Sequence, residues 1–91
     1  MKVFGCTMME SYSGGIILVA ANSIEEAYQV AAREYDLYFD WRDAYGNRVE
    51  RHTPDAKVTS TYYPFEEWKE YEHLSCDYTD PQVILEESYA E

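Results

Sequence analysis

The stretch that decides the fold is residues 11–35, which read SYSGGIILVAANSIEEAYQVAAREY. It opens with the turn sequence Ser13-Gly14-Gly15, where glycine supplies a positive φ without steric cost. Residues 16–21 then form an unbroken aliphatic run that is apolar on both sides of an extended chain. Such a run predicts a strand in the centre of a sheet.

A helix is predicted directly after this strand. Ser23-Ile24-Glu25-Glu26 matches the capping box, in which the Ser23 side chain accepts from the Glu26 amide and the Glu26 carboxylate reaches back to the cap amide. Over residues 24–35 apolar side chains recur at helical spacing, and several of them are alanines that allow close approach to a sheet. The stripe consists of Ile24, Ala27, Tyr28, Ala31 and Tyr35.

Further strands are predicted on either side of this stretch. Residues 2–9 alternate at period two, and the polar loop at residues 10–15 predicts a hairpin with residues 16–21. Residues 57–63 are rich in β-branched and aromatic side chains and predict an edge strand. Residues 82–89 predict a closing strand, with Val83, Leu85 and Tyr89 on one side and Ile84, Glu86 and Ser88 on the other.

Two segments allow two interpretations each. Residues 36–41 either extend the helix or form a short strand, and residues 64–74 either begin a helix after Pro64 or form a strand through Trp68. Residues 44–47 predict a turn. The expected fold is a single α+β domain over residues 1–91. It has a small antiparallel sheet of three to four strands (a β-hairpin, a helix, then further strands) and one main helix packed on a face.

The charge of the chain is strongly negative and unevenly distributed. Eighteen Asp and Glu against seven Lys and Arg give a net charge of −11, which argues against direct binding of nucleic acid or an anionic membrane. Residues 42–61 carry a net +1, whereas residues 62–91 carry a net −8. The acids of this last third are Glu66, Glu67, Glu70, Glu72, Asp77, Asp80, Glu86, Glu87 and Glu91.

Aromatic side chains alternate with these acids, and this combination suits docking on a surface rich in Arg and Lys. Carboxylates pair with guanidinium groups, and aromatic rings stack on them. The sharpest hypothesis is a nucleic-acid mimic that blocks the groove of a nucleic-acid-binding protein. The alternative is a solvated sheet face whose aromatic rings point inward. The predicted partner-contacting residues are Glu66, Glu67, Trp68, Glu70 and Glu72.

Catalytic and metal-binding interpretations find little support in the sequence. The cluster from His73 to Asp77 includes Cys76, but a zinc site needs about four ligands. The other Cys and His are Cys6 and His52, and no signature of a cysteine nucleophile surrounds Cys76. We therefore expect no enzyme activity, no cofactor and no metal. With no apolar leader and only two cysteines, we expect a cytoplasmic protein with reduced thiols.

Three segments together resemble small uncharacterised proteins of phages and mobile elements. They are residues 12–15 (YSGG), residues 19–23 (VAANS) followed by residues 25–27 (EEA), and the ending PQVILEE at residues 81–87 with a late Tyr89. The resemblance covers about a third of the chain and implies a small accessory protein that acts by binding. Some proteins of that kind inhibit host defence systems, including CRISPR effectors. The resemblance implies no site residue.

The expected function is thus that of a non-enzymatic acidic protein that binds a basic protein surface, and the resemblance implies that it is phage-encoded. Two alternatives stay open. One is a structural or regulatory module that forms a homodimer through an exposed strand edge. The other is a small-ligand-binding domain with a concave pocket lined by aromatic side chains.

Overall fold

The computed structural model describes residues 1–9, 14–35, 38–51, 53–74 and 77–88. Its strands are β1 (Lys2–Thr7), β2 (Gly15–Ala21), β3 (Asp40–Arg42), β4 (Lys57–Thr59), β5 (Lys69–Glu70) and β6 (Gln82–Ser88), and its helix is α1 (Ile24–Glu34). Four strands form an antiparallel sheet in the order β5-β1-β2-β6, and β3 pairs with β4 in a second sheet. The predicted α+β fold is confirmed, and the two-stranded sheet is an addition to it.

Strand β2 lies inside the sheet, as its apolar sequence predicts. It pairs with β1 from Lys2↔Ala21 to Thr7↔Ile16, and with β6 on its other side. Ile17 and Val19 are fully buried. The turn before β2 uses the conformational freedom of glycine, since Gly14 has φ 79°.

The helix begins as the capping box predicts, with one difference. The Ser23 hydroxyl accepts a hydrogen bond from the Glu26 amide at 3.2 Å. The Glu26 carboxylate, however, accepts from the Asn22 amide at 2.8 Å, one residue before the predicted Ser23 amide. The helix ends at Glu34, and Tyr35 donates its amide to the Ala31 carbonyl as the C-cap.

The helix packs on one face of the four-stranded sheet through its small residues. Ala27, Ala31 and Ala32 are fully buried. Beside them the Tyr28 ring makes edge contacts with three aromatic rings, those of Phe39, Phe65 and Trp68, at centroid distances of 5.1–5.7 Å. These contacts tie the helix to segments that lie far away in the sequence.

The two ambiguous segments adopt mixed structures. After Pro64 the chain forms one 3-10 turn, Phe65–Glu67, and then the short strand β5, so each interpretation is correct for part of the segment. Asp40 and Trp41 belong to β3, which favours the strand interpretation there. The strand predicted for residues 57–63 is shorter, Lys57–Thr59, and it pairs outside the main sheet.

A β-bulge corrects the predicted faces of β6. The register steps from Leu18↔Leu85 to Val19↔Val83, which leaves Ile84 as the extra residue. Val83 therefore lies on the helix-covered face with Val19, while Leu85 lies with Leu18 on the opposite face. The prediction that Val83 and Leu85 share one side is wrong because strict alternation does not continue through a bulge.

Some predictions concern residues outside the described ranges. They are the loop at residues 10–13, the helix extension at residues 36–37, His52, the Ser75-Cys76 pair, Tyr89 and Glu91. The turn predicted at residues 44–47 is present, with Asp43 donating its amide to Asn47 and accepting one from Gly46. No helix in the described part of the chain is long and apolar enough to cross a membrane.

Candidate protein-binding surface

The acidic segment at residues 66–72 is attached to the core by Trp68. The Trp68 side chain is only 5% exposed, and its indole N–H donates to the Tyr63 carbonyl at 2.9 Å. Its ring meets the Tyr28 ring edge-on at 5.7 Å. The preceding 3-10 turn is closed by the Glu67 and Trp68 amides, which donate to Pro64 and Phe65. Trp68 thus fixes the position of the carboxylates around it.

Strand β5 continues this attachment at the edge of the sheet. Glu70 pairs with Phe4 and Lys69 pairs with Gly5, and the next amide, that of Tyr71, donates to the Val3 carbonyl at 2.8 Å. An edge strand of two charged residues offers little backbone to another chain, so it resists edge-to-edge association. What this edge offers to a partner is side chains.

The structure brings four of the five predicted contact residues to the surface. Glu66, Glu67, Glu70 and Glu72 are exposed, whereas Trp68 lies in the core. We call the four glutamates the acidic edge. Of these, Glu70 makes a salt bridge to Lys2 at 3.8 Å, and no salt bridge within the described residues involves the other three. Trp68 positions the acidic edge and does not present a ring to a partner.

Two groups of acids in the last third lie at opposite edges of the sheet. The acidic edge lies at β5, while Glu86 and Glu87 lie on β6 at the far side of the sheet. Three strand spacings separate the two, about 14 Å at 4.8 Å per step. Glu86 also faces inward enough for its carboxylate to meet the Tyr63 hydroxyl at 3.5 Å. A docking surface is therefore best confined to the acidic edge.

Burial and the negative charge of the acidic edge together raise the pKa of two side chains in the adjacent core. Burial raises the pKa of Cys6 to about 12, and the nearby Glu67 charge adds to the effect. Burial likewise raises the pKa of Tyr28 to about 12, with Glu66 contributing. At neutral pH the Cys6 thiol is therefore protonated, and a protonated thiol is a poor nucleophile.

A groove on the sheet face opposite the helix was not foreseen from the sequence. It encloses about 690 Å³, and Leu74, Tyr78 and Leu85 at its rim are each more than a third exposed. The adjacent apolar pair Ile84-Leu85, which breaks strict alternation, is the sequence signal that could have indicated it. The groove is lined by Val3, Leu18, Leu74, Asp77, Tyr78, Ile84 and Leu85.

The arginine-rich segment neutralises acids locally. Arg42 contacts one Asp40 carboxylate oxygen at 2.9 Å, and Arg48 contacts the other at 3.3 Å. The hydrogen bond from Arg42 is the main reason that the pKa of Asp40 lies below its ordinary value. Within the described residues no group of three His, Cys, Asp or Glu is placed to hold a metal ion, and both His52 and Cys76 lie outside those ranges.

Comparisons with protein-family models, curated proteins and solved structures give no match for this chain. The function must therefore be argued from the surface itself.

Proposed function

We propose that this protein is a non-enzymatic binding protein whose acidic edge docks on a basic surface of a partner protein. The observation that carries the proposal is the exposure of four carboxylates within seven residues on a segment fixed by a buried tryptophan. A surface whose backbone is already ordered loses less entropy on binding than a flexible acidic tail does.

The charge balance at the acidic edge supports a cationic partner. The one salt bridge of this edge, Lys2 to Glu70, is long and exposed, so it contributes little to stability. Lys69 lies over the Tyr71 ring at 5.2 Å and is oriented by that contact. The carboxylates are thus available to form charge-assisted hydrogen bonds with guanidinium groups, which are stronger than neutral ones.

The sharpest form of the proposal is occupation of a nucleic-acid-binding groove. Such grooves are lined by Lys and Arg that normally neutralise phosphates. The acidic edge presents four exposed carboxylates, which have the same sign of charge as phosphates, from an ordered backbone segment. A phage-encoded inhibitor of a host nucleic-acid-binding protein, such as a CRISPR effector, is the kind of protein that this mechanism would serve.

The test is capture of partners from a bacterial lysate with tagged protein, washed at low and then at high salt. The altered variant replaces the four glutamates of the acidic edge with glutamine. The matched control also removes four negative charges, but at exposed positions outside the acidic edge: Glu25→Gln, Glu34→Gln, Glu50→Gln and Asp80→Asn.

We expect a basic protein that is retained at low salt, released at high salt and lost only with the first variant. Equal retention by both variants would exclude the acidic edge. Loss of the partner with both variants would show that binding depends on the net charge and not on the acidic edge. Circular dichroism of each variant verifies the fold.

A second candidate function is a homodimer joined through β6. Within the described strands, β6 is the outer strand of its sheet on one side, and it is seven residues long. Antiparallel pairing of two copies centred on Leu85 would set Glu86 opposite Ile84 and Glu87 opposite Val83, so no glutamates would face each other. The groove around Leu85 would then continue into the second copy. The mass in solution, measured by light scattering, separates a dimer from a monomer.

A further inference from the structure

A second concave site contains more arginine than carboxylate among its described lining residues. It opens between the helix and residues 51 and 53–56, and encloses about 420 Å³. Gln29 and Arg33 are four residues apart on α1, so both side chains lie on one helix face. The full lining is Gln29, Arg33, Trp41, Arg51, Thr53, Pro54, Asp55 and Ala56.

An unsatisfied donor marks this pocket. Trp41 is 7% exposed and lines it, and its indole Nε1 is buried with no hydrogen-bond partner among the described residues. A buried donor without an acceptor destabilises the fold, because it has given up its hydrogen bonds to water. The other indole offers a direct contrast, because Trp68 donates to the Tyr63 carbonyl. An acceptor oxygen that reached Trp41 Nε1 from the pocket would remove this destabilisation.

The charged groups at the pocket favour an anion as the source of that oxygen. Its described lining includes two guanidinium groups, Arg33 and Arg51, against one carboxylate, Asp55. None of the salt bridges within the described ranges involves Arg33. In a protein of net charge −11, a concave site with an excess of arginine is unusual. Guanidinium groups match the oxygen pairs of carboxylates and phosphates.

We propose that this pocket binds a small oxyanion, a phosphate or a carboxylate carried by a small molecule. Arg33 and Arg51 supply the charge, and the Trp41 indole donates to an anion oxygen once the side chains adjust around it. Gln29 and Thr53 add neutral hydrogen-bonding groups at the rim. The site is separate from the acidic edge, so it stands or fails independently of the proposed function.

The two indole protons make a specific test. In a ¹⁵N–¹H correlation spectrum the chain has two indole signals, which the variants Trp41→Phe and Trp68→Phe assign. Sodium phosphate and sodium acetate are titrated separately at constant ionic strength. We expect the Trp41 signal to move along a saturating curve and the Trp68 signal to stay in place. Saturation by phosphate alone or by acetate alone identifies the source of the oxyanion.

Charge variants at the rim should change the affinity for the anion in opposite directions. Arg33→Gln should weaken the apparent affinity about tenfold, the effect of one charge-assisted hydrogen bond. Asp55→Asn should strengthen it, and Asn tolerates the positive φ of 63° at this position.

Four outcomes would overturn the proposal. They are a linear shift without saturation, equal movement of both indole signals, unchanged affinity in Arg33→Gln, and a Trp41 signal that moves with neither anion.

Discussion

The two edges of the four-stranded sheet differ in what they leave open to another molecule. At β5 the strand is two residues long and its carboxylates point into solvent from a segment attached through Trp68. At β6 the strand is seven residues long, carries a bulge and borders an apolar groove. The first edge offers charge and almost no backbone, whereas the second offers backbone and apolar surface. The two edges therefore offer different surfaces for the two associations proposed above, and each surface can be altered without the other.

The largest expected effect is the loss of the attachment at β5. Trp68→Ala removes a buried ring and an indole hydrogen bond, so we expect the free energy of unfolding to fall by about 3–5 kcal/mol. Phe65→Ala is the matched control, because its ring also meets Tyr28 but is 39% exposed, and we expect a loss of about 1 kcal/mol. Urea unfolding measures both.

Amide exchange shows whether that loss is local to the β5 edge. The Tyr71 amide, which donates to Val3, should exchange faster in Trp68→Ala than in Phe65→Ala. The amides between β2 and β6 should change less than that of Tyr71. Similar losses for both variants, or uniform exchange across the sheet, would contradict the role of Trp68 as the attachment.

Gly5→Ala is the next largest change, and it tests how close Tyr71 lies to the sheet. A methyl group at Gly5 would meet the Ile17 carbonyl oxygen, and would lie 2.7 Å from Leu18 Cδ2 and 3.0 Å from Tyr71 Cε2. Because the first of these is backbone, the strands must shift, and we expect a loss of about 1–3 kcal/mol.

Gly46→Ala is the control for this substitution, since its added methyl meets nothing within 4 Å but its φ is +84°. We expect about 1–2 kcal/mol from backbone strain alone. The Tyr71 amide should lose protection from exchange in Gly5→Ala and keep it in Gly46→Ala. Full protection in Gly5→Ala would mean that Tyr71 does not depend on this close approach.

The sequence predicts the central elements of the fold better than the edges, for a physical reason. The strand β2 and the start of α1 are specified by local signals, an aliphatic run and a capping serine, so the sequence alone predicts both. The pairing of Glu70 with Phe4 depends on a contact between Trp68 and Tyr28, residues forty positions apart. The bulge at Ile84 depends on the register with β2, which a local pattern does not specify.

The candidate site divides in the same way. The carboxylates of the acidic edge could be named from composition and spacing. The burial of Trp68 could not, because an aromatic residue among glutamates reads equally as a contact or as a core anchor. The pocket beside Trp41 was missed for a similar reason, since it joins α1, β3 and a loop that have no common sequence motif.

Acid should loosen a region that lies at neither edge, the turn after β3. The Asp43 carboxylate accepts hydrogen bonds from the amides of Asn47 and Tyr45 at 3.0 and 2.8 Å. These bonds lower the pKa of Asp43, and the bond from Asn47 has the largest effect. Because the pKa of Asp43 is lower in the folded state, its ionised carboxylate stabilises the turn at every pH above the ordinary aspartate pKa of about 3.9. That contribution is lost as the pH falls through the lowered pKa.

The amide signals of Tyr45 and Asn47, followed by NMR from neutral to acidic pH, measure this effect. We expect a midpoint below 3.9, and we expect no such titration in Asp43→Asn, whose amide oxygen still accepts but does not ionise. A midpoint at or above the ordinary value would show that these hydrogen bonds do not hold the carboxylate.

The smallest effect on stability, and the sharpest separation of the two edges, is expected from Leu85→Lys. Leu85 is 37% exposed beside the groove, so the free energy of unfolding should change by no more than about 0.5 kcal/mol. A dimer through β6 would nevertheless be lost, because two lysines would meet at its centre.

Thr7→Lys, at an exposed position of β1, is the control, because it makes the same change of charge away from that edge. A dimer that survives Leu85→Lys as well as Thr7→Lys does not form through β6. A monomer in all three proteins leaves the acidic edge as the surface on which association depends.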